Sequence, residues 1–185
     1  MNKPLFLFVG RSASGKTTIA SMLEENGYNQ IASYTTRKPR YEGEKEHTFV
    51  TDEEYDKLEG IMAETFYHEH RYCTTLEQVK KADIYVVDPP GVKTLLDNYE
   101  AIDRPMYVIY FQSGVYQRIN RMMERGDSDT QIIGRLLHDE ATDWLGDILS
   151  LETNNYNKML VYRVDANVGL QELYYSVKNI IKKYI

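Results

Sequence analysis

Pro4 to Gly27 read PLFLFVGRSASGKTTIASMLEENG. Residues 5–9 (LFLFV) are apolar without a break, the pattern of a strand buried on both faces. Gly10 to Thr18 (GRSASGKTT) fit the spacing G-x-x-x-x-G-K-[ST]. Residues 16–26 then read as a helix ended by Gly27. Glycines let backbone N–H groups turn inward, and the following helix adds its positive N-terminal end, so the turn suits phosphate. A turn that merely caps a helix needs neither Lys16 nor Thr17. Lys16 can reach the β- and γ-phosphates of a nucleotide, and the Thr17 hydroxyl can bind Mg²⁺. The expected nucleotide-binding residues are Gly10, Ser12, Ala13, Ser14, Gly15, Lys16, Thr17 and Thr18. The loop alone leaves the phosphate acceptor open, since a GTPase, an ATPase motor or a small-molecule kinase can carry it.

Further apolar runs at 84–87, 106–111 and 160–164 read as buried strands, and helical stretches follow at 91–98, 114–125 and 169–184. This alternation predicts an α/β fold of three layers, with a parallel central sheet covered by helices on both faces. Ligands then bind beyond the carboxyl ends of the strands. Two segments interrupt the alternation. Residues 33–75 carry charged turns, short strands and a short helix from Asp52, and are expected to form an inserted acceptor-binding subdomain. Residues 125–157 are polar and helical, and are expected to hold a lid. The core then comprises 1–32, 76–124 and 158–185.

The chain has 185 residues, enough for one domain with a sizeable core. Hydrophobic residues make up 42% and charged residues 27%, a soluble globular balance. A net charge of −6 and a pI near 5.3 argue against broad nucleic-acid binding. The single Cys73 excludes a disulfide framework and a cysteine-cluster metal site. No signal pattern is evident, and no apolar run approaches membrane-spanning length. The expectation is a cytoplasmic protein that handles small nucleotides, without membrane or nucleic-acid partners; nothing in the sequence names a protein partner.

Ser33 to Val50 read SYTTRKPRYEGEKEHTFV. Arg37, Lys38 and Arg40 crowd a turn around Pro39, and such cations repel one another unless an anion arrives. A planar guanidinium suits bidentate phosphate recognition. With this block, FVTDEEYD, YCTTLEQV and VVDPPGVK in the same order after the phosphate loop, the chain resembles the guanylate kinases over about residues 5–182. The resemblance implies that Ser33, Arg37 and Arg40 hold the phosphate of an acceptor nucleoside monophosphate, with Tyr72 touching it. It implies base reading by Thr74 and, across a one-residue gap, by Glu64, and it matches Asp88 to the second aspartate of a D-x-D pattern. His47 stands where the family has tyrosine and, since histidine can still donate to a phosphate, is expected to bind the acceptor; Arg71 stands where it has tyrosine, Cys73 where it has glycine and Val86 where it has the first aspartate. These departures lie on the acceptor side, so transfer to a monophosphate is a firmer implication than guanine recognition.

Phosphoryl transfer needs positioning, charge neutralisation and cover from water. Arg118, Arg121 and Arg125 are spaced to share one helix face, and Arg135 follows. Arg125 and Arg135 match the family's lid arginines and join Lys16 and Arg37 as the expected catalytic set; Arg118 is expected at the surface. Asp88 can orient Mg²⁺ through water or accept from the base. Asn167 falls near the expected adenine position, or forms an Asx turn. His68-Glu69-His70 lacks a third metal ligand, Cys73 lacks the pattern of a nucleophile, and Trp144 is expected to pack a helix. The implied activity is transfer of the ATP γ-phosphate to GMP or dGMP. The alternatives are a related kinase with another (deoxy)nucleotide or phosphorylated acceptor, and a non-catalytic guanylate-kinase-like binding module.

Overall fold

A computed structural model describes residues 3–39, 42–45, 47–67 and 69–185. In chain order the elements are β1 (Leu5–Val9), α1 (Lys16–Glu24), β2 (Ser33–Thr35), β3 (His47–Phe49), α2 (Asp52–Tyr55), β4 (Ile61–Tyr67), β5 (His70–Thr75), α3 (Leu76–Lys81), β6 (Ile84–Val86), α4 (Pro89–Asp97), α5 (Tyr99–Ile102), β7 (Met106–Gln112), α6 (Val115–Glu124), α7 (Asp129–Glu140), α8 (Trp144–Asn154), β8 (Met159–Asp165) and α9 (Leu170–Ile181).

Four strands form a parallel sheet in the order β6-β1-β7-β8. The alternation of side chains along β1 divides the core. Leu5, Leu7 and Val9 pack with α4 and α8 through Val92, Leu95, Trp144 and Ile148. Phe6 and Phe8 pack with α1 and α9 through Ile19, Leu23, Leu173 and Val177. The fold is therefore the expected three-layer α/β arrangement, with β1, β6 and β7 largely buried on both faces; β8, expected to be buried, is instead an edge strand with Leu160 and Arg163 exposed.

The second sheet has the order β3-β2-β5-β4, with β2 and β3 parallel and the other pairs antiparallel. Local chemistry delimits its neighbours. Thr51 and Glu54 form a capping box on α2, and Thr75 with Gln78 forms one on α3. α4 starts two residues before the expected helix. Asp88 accepts from the Gly91 amide at 2.8 Å, and Pro89 and Pro90 occupy the first helical positions, where a missing N–H costs nothing. The polar segment 125–157 holds α7, opened by a Ser128–Gln131 capping box, and α8, which packs on α4 and β8.

Candidate active site

The loop Gly10–Gly15 leaves the carboxyl end of β1, between β6 and β7. Gly10 is required by close approach: a Cβ there would sit 2.7 Å from the Phe111 carbonyl oxygen. Gly15 caps α1 at φ 96, a conformation that other residues rarely adopt, and no side chain caps the helix. The first amides of α1 therefore have no intrahelical partner and are open to an anion.

Lys16 folds back into the loop, donating to the carbonyls of Gly10 and Arg11 at 2.5 and 2.9 Å and to Ser14 Oγ at 3.2 Å. The residue is half-buried, but its ammonium lies inside this ring of acceptors. Burial lowers its pKa from 10.5 to about 8; the negative charge of Asp139 opposes the shift and Arg118 adds to it. The folded chain thus binds fewer protons than the unfolded chain between about pH 8 and 10.5, so this group makes folding more favourable as pH rises through that window.

Two cavities meet at Lys16. One, of about 480 Å³, runs along Ala13–Thr18, Arg121, Arg125 and Gly169. Thr17 and Thr18 are exposed on the first turn of α1 and line it, and this placement fits a hydroxyl ligand for Mg²⁺. The other, of about 330 Å³, is lined by Gly10, Ser12 and Lys16 on the loop side and by Ser33, His47, Tyr72 and Asp88 opposite. Adjacent strands bring the last group together: Ser33 pairs with His47 across β2–β3, and Ser33 Oγ lies 3.0 Å from His47 Nδ1. The His47 ring meets Tyr72 edge-on, with centroids 5.5 Å apart.

Other expected site residues are placed differently. Glu64 does not line the cavity. A register irregularity between Ile61 and Ala63 sets the phase of β4, so Ala63 and Thr65 face the cleft while Glu64 points to α2. There its carboxylate accepts from Tyr55 Oη at 3.1 Å and lies 3.7 Å from Arg71. Thr74 is fully buried, its hydroxyl 3.5 Å from Gln78 Oε1 and bonded to Tyr85, whose own hydroxyl burial pushes up to about 12. Arg37 is held bidentately by buried Glu44, at 2.5 and 3.2 Å, and lies over the Phe49 ring. The anion that its basic turn needs is thus supplied seven residues along the chain. Arg40 lies outside the described residues, as does His68. Among the described residues no group of three or more acidic, histidine or cysteine side chains could hold a metal. Cys73 is buried, and burial raises its thiol, which suits packing rather than nucleophilic chemistry.

Arg125 lines the first cavity and Arg135 the second, and both pair with Asp127, Arg135 at 3.4 Å. Arg121 touches the loop, donating to the Ala13 carbonyl at 3.3 Å and to Ala166 at 2.7 Å. Arg118 corrects the expectation of a surface residue: it is 1% exposed. It donates to Asp139 at 2.8 Å and to Glu140 at 2.6 Å. Asp139 accepts in turn from the Ser12 amide at 2.7 Å and its hydroxyl at 3.2 Å, and Glu140 pairs with Arg11 at 2.7 Å. Arg11, Arg37 and Arg118 each keep a buried Nε with no acceptor among the described residues, and none of the three lines either cavity. The Asx turn at this point is made by Asp165 and not by Asn167: Asp165 Oδ1 accepts from the Asn167 amide at 2.9 Å, while the Asn167 side-chain oxygen accepts from the Gly114 amide. Trp144 packs in the core, as expected, and also lines the second cavity.

No family model matches the chain, and no curated protein matches it in sequence. Among solved structures, a guanylate kinase from Anaplasma phagocytophilum is similar with a TM-score of 0.58 at 19% identity, over 98% of this chain and 85% of that one. A deoxyadenosine kinase from M. mycoides with bound dATP is similar with a TM-score of 0.49 at 16% identity, over 96% of this chain and 100% of that one. The likeness to the guanylate kinase shows the fold alone, a four-stranded parallel sheet between layers of helices. No helix among the described residues is long and apolar enough to cross a membrane.

Proposed function

We propose that this chain is a nucleoside monophosphate kinase that transfers the γ-phosphate of ATP to GMP or dGMP. One observation carries the reading: Lys16 lines two adjoining cavities. One borders the uncapped end of α1; the other carries the Ser33–His47–Tyr72 cluster. In this reading residues 33–75 bind the acceptor and 125–157 form the lid. The amides of residues 13–18 and Lys16 bind the triphosphate, and Thr17 holds Mg²⁺. Mg²⁺, when bound, neutralises charge on the β- and γ-phosphates. Ser33, His47 and Tyr72 bind the acceptor phosphate, and Arg37 joins them by exchanging Glu44 for it. Arg125 and Arg135 face the two cavities with charge for the transferring group. Asp88 keeps one carboxylate oxygen on its helix cap and can offer the other to the base.

A specific observation favours a second reading, a kinase for another (deoxy)nucleotide. Ala63 stands in the cleft wall and Glu64 does not, so guanine loses the carboxylate that would accept from its N1 and N2 donors. An ADP-release assay across a panel of nucleoside monophosphates decides. Turnover of GMP or dGMP above the other acceptors supports the first reading; turnover confined to another base replaces it. Mg-ATP binding with no turnover on any acceptor leaves a binding module instead.

Arg37→Ala is expected to raise the acceptor KM about 10- to 100-fold and to lower kcat, with ATP binding little changed, because one charge-assisted contact is worth about 1.5–3 kcal/mol. Equal damage to ATP affinity would put Arg37 on the donor side. Polyphosphate beside Lys16 raises its pKa again. Since the free group is about three-quarters deprotonated at pH 8.5, ADP binding there is expected to take up roughly 0.7 proton, falling to about 0.1 at pH 7. Calorimetry in two buffers of different ionisation enthalpy measures this directly.

A further inference from the structure

α7 is a helix with little apolar anchorage. Ile132 and Asp139 are its only buried residues, while Ile133 and Leu137 are exposed. A helix of this kind needs some other device to hold it against the molecule. The structure supplies one, and it is polar. Asp139 reaches across to the phosphate loop, where the Ser12 amide and hydroxyl both donate to its carboxylate. Arg118, from α6, donates to the same carboxylate oxygen as the Ser12 amide. Glu140, the next residue, binds Arg11 and Arg118. Two adjacent carboxylates therefore fasten the end of α7 to the loop, with Arg118 as a buried strut beneath. Replacing such an ion pair by apolar residues need not cost stability, so its value lies in the one geometry it permits.

That geometry bears on Arg135. Positions four apart on a helix lie on the same face. Arg135 precedes Asp139 by four residues, and both line the cavity that contains Lys16, Ser33 and Tyr72. We propose that Asp139 is a positioning residue: by docking α7 on Ser12 it sets Arg135 over the cleft where phosphate is transferred. What Arg135 does there rests on the kinase reading; the docking does not.

The test compares Asp139→Ala, Asp139→Asn, Arg135→Ala and the Asp139→Ala/Arg135→Ala pair, by steady-state kinetics and by hydrogen exchange on the intact protein. Asp139→Ala and Arg135→Ala are each expected to lower kcat about 100-fold, with the KM for ATP changed less than about threefold. Because Asp139 acts through Arg135, the double variant should fall within about threefold of the poorer single one. Asp139→Asn, which keeps an oxygen for the Ser12 amide, should recover part of the loss. The α7 amides should exchange at least about tenfold faster in Asp139→Ala, with β1 and β7 unchanged. Losses that multiply to about 10,000-fold in the double variant overturn the proposal, and so does α7 exchange equal to that of the unaltered chain. If the unaltered chain turns over no acceptor, the kinase reading falls, and the exchange measurement still decides whether Asp139 docks the helix.

Discussion

Lys16→Met is expected to lower kcat about 1000-fold while leaving the melting temperature unchanged or higher. The two halves of this result have separate causes. Among the described residues Lys16 is the one cationic side chain that lines both cavities, and on the kinase reading removing its charge costs on the order of 100- to 1000-fold or more. Its burial in the unliganded protein, however, opposes its charge, as the pKa near 8 expresses. At neutral pH, below that value, folding keeps a desolvated ammonium charged, and methionine of similar length relieves this cost. Function and stability then move in opposite directions, as at other sites held ready for a ligand. The measurements are kcat with ATP and the responding acceptor, and a thermal melt at pH 7. A large fall in melting temperature would show instead that the bonds from Lys16 to Gly10, Arg11 and Ser14 hold the loop together.

Arg118→Leu is expected to destabilise the fold by about 3–5 kcal/mol, a fall of roughly 10 °C in melting temperature. The reason is the partner left behind. Asp139 is 1% exposed, and without Arg118 it becomes a buried carboxylate that keeps, among the described residues, hydrogen bonds from Ser12 alone and no direct ion pair. Lysine is a poor replacement, because the guanidinium serves Asp139 and Glu140 through two different nitrogens. Adding Asp139→Asn to Arg118→Leu should restore part of the loss, since it removes the unpaired charge. If the two changes simply add, the pair does not act as a unit. Thermal melts of the two single variants and the double one decide this.

The two predictions divide along a line that runs through the whole chain. The phosphate loop was legible in the sequence because it is a local device. A buried strand, glycines at Gly10 and Gly15 and a following helix produce its geometry within a dozen residues. The three-layer fold was legible for a related reason, since LFLFV, IYVV and MYVIYF bury both faces wherever they occur. The Ser33–His47–Tyr72 cluster could be named from resemblance, though its contacts depend on pairing between strands. Asp88 was legible as a strand-end residue, but its helix cap emerged only with α4 in place. Glu44 stood in plain view in the basic stretch, and its charge could have been matched to Arg37 there.

The rest depended on contacts between distant parts of the chain. Whether Glu64 or Ala63 faces the cleft turns on one irregularity in β4, and a shift of one residue in a strand reverses every side chain. Arg118 reads as a surface cation by helix position alone. It is buried because Asp139, 21 residues on, reaches it and Ser12 together, and Ser12 lies 127 residues from Asp139. By itself, then, the sequence determined the α/β fold and the phosphate loop, because backbone geometry and hydrophobic pattern act over short spans. Only the tertiary structure decided which charges meet and which face of β4 lines the cleft, because ion pairs and strand phase depend on how remote segments pack.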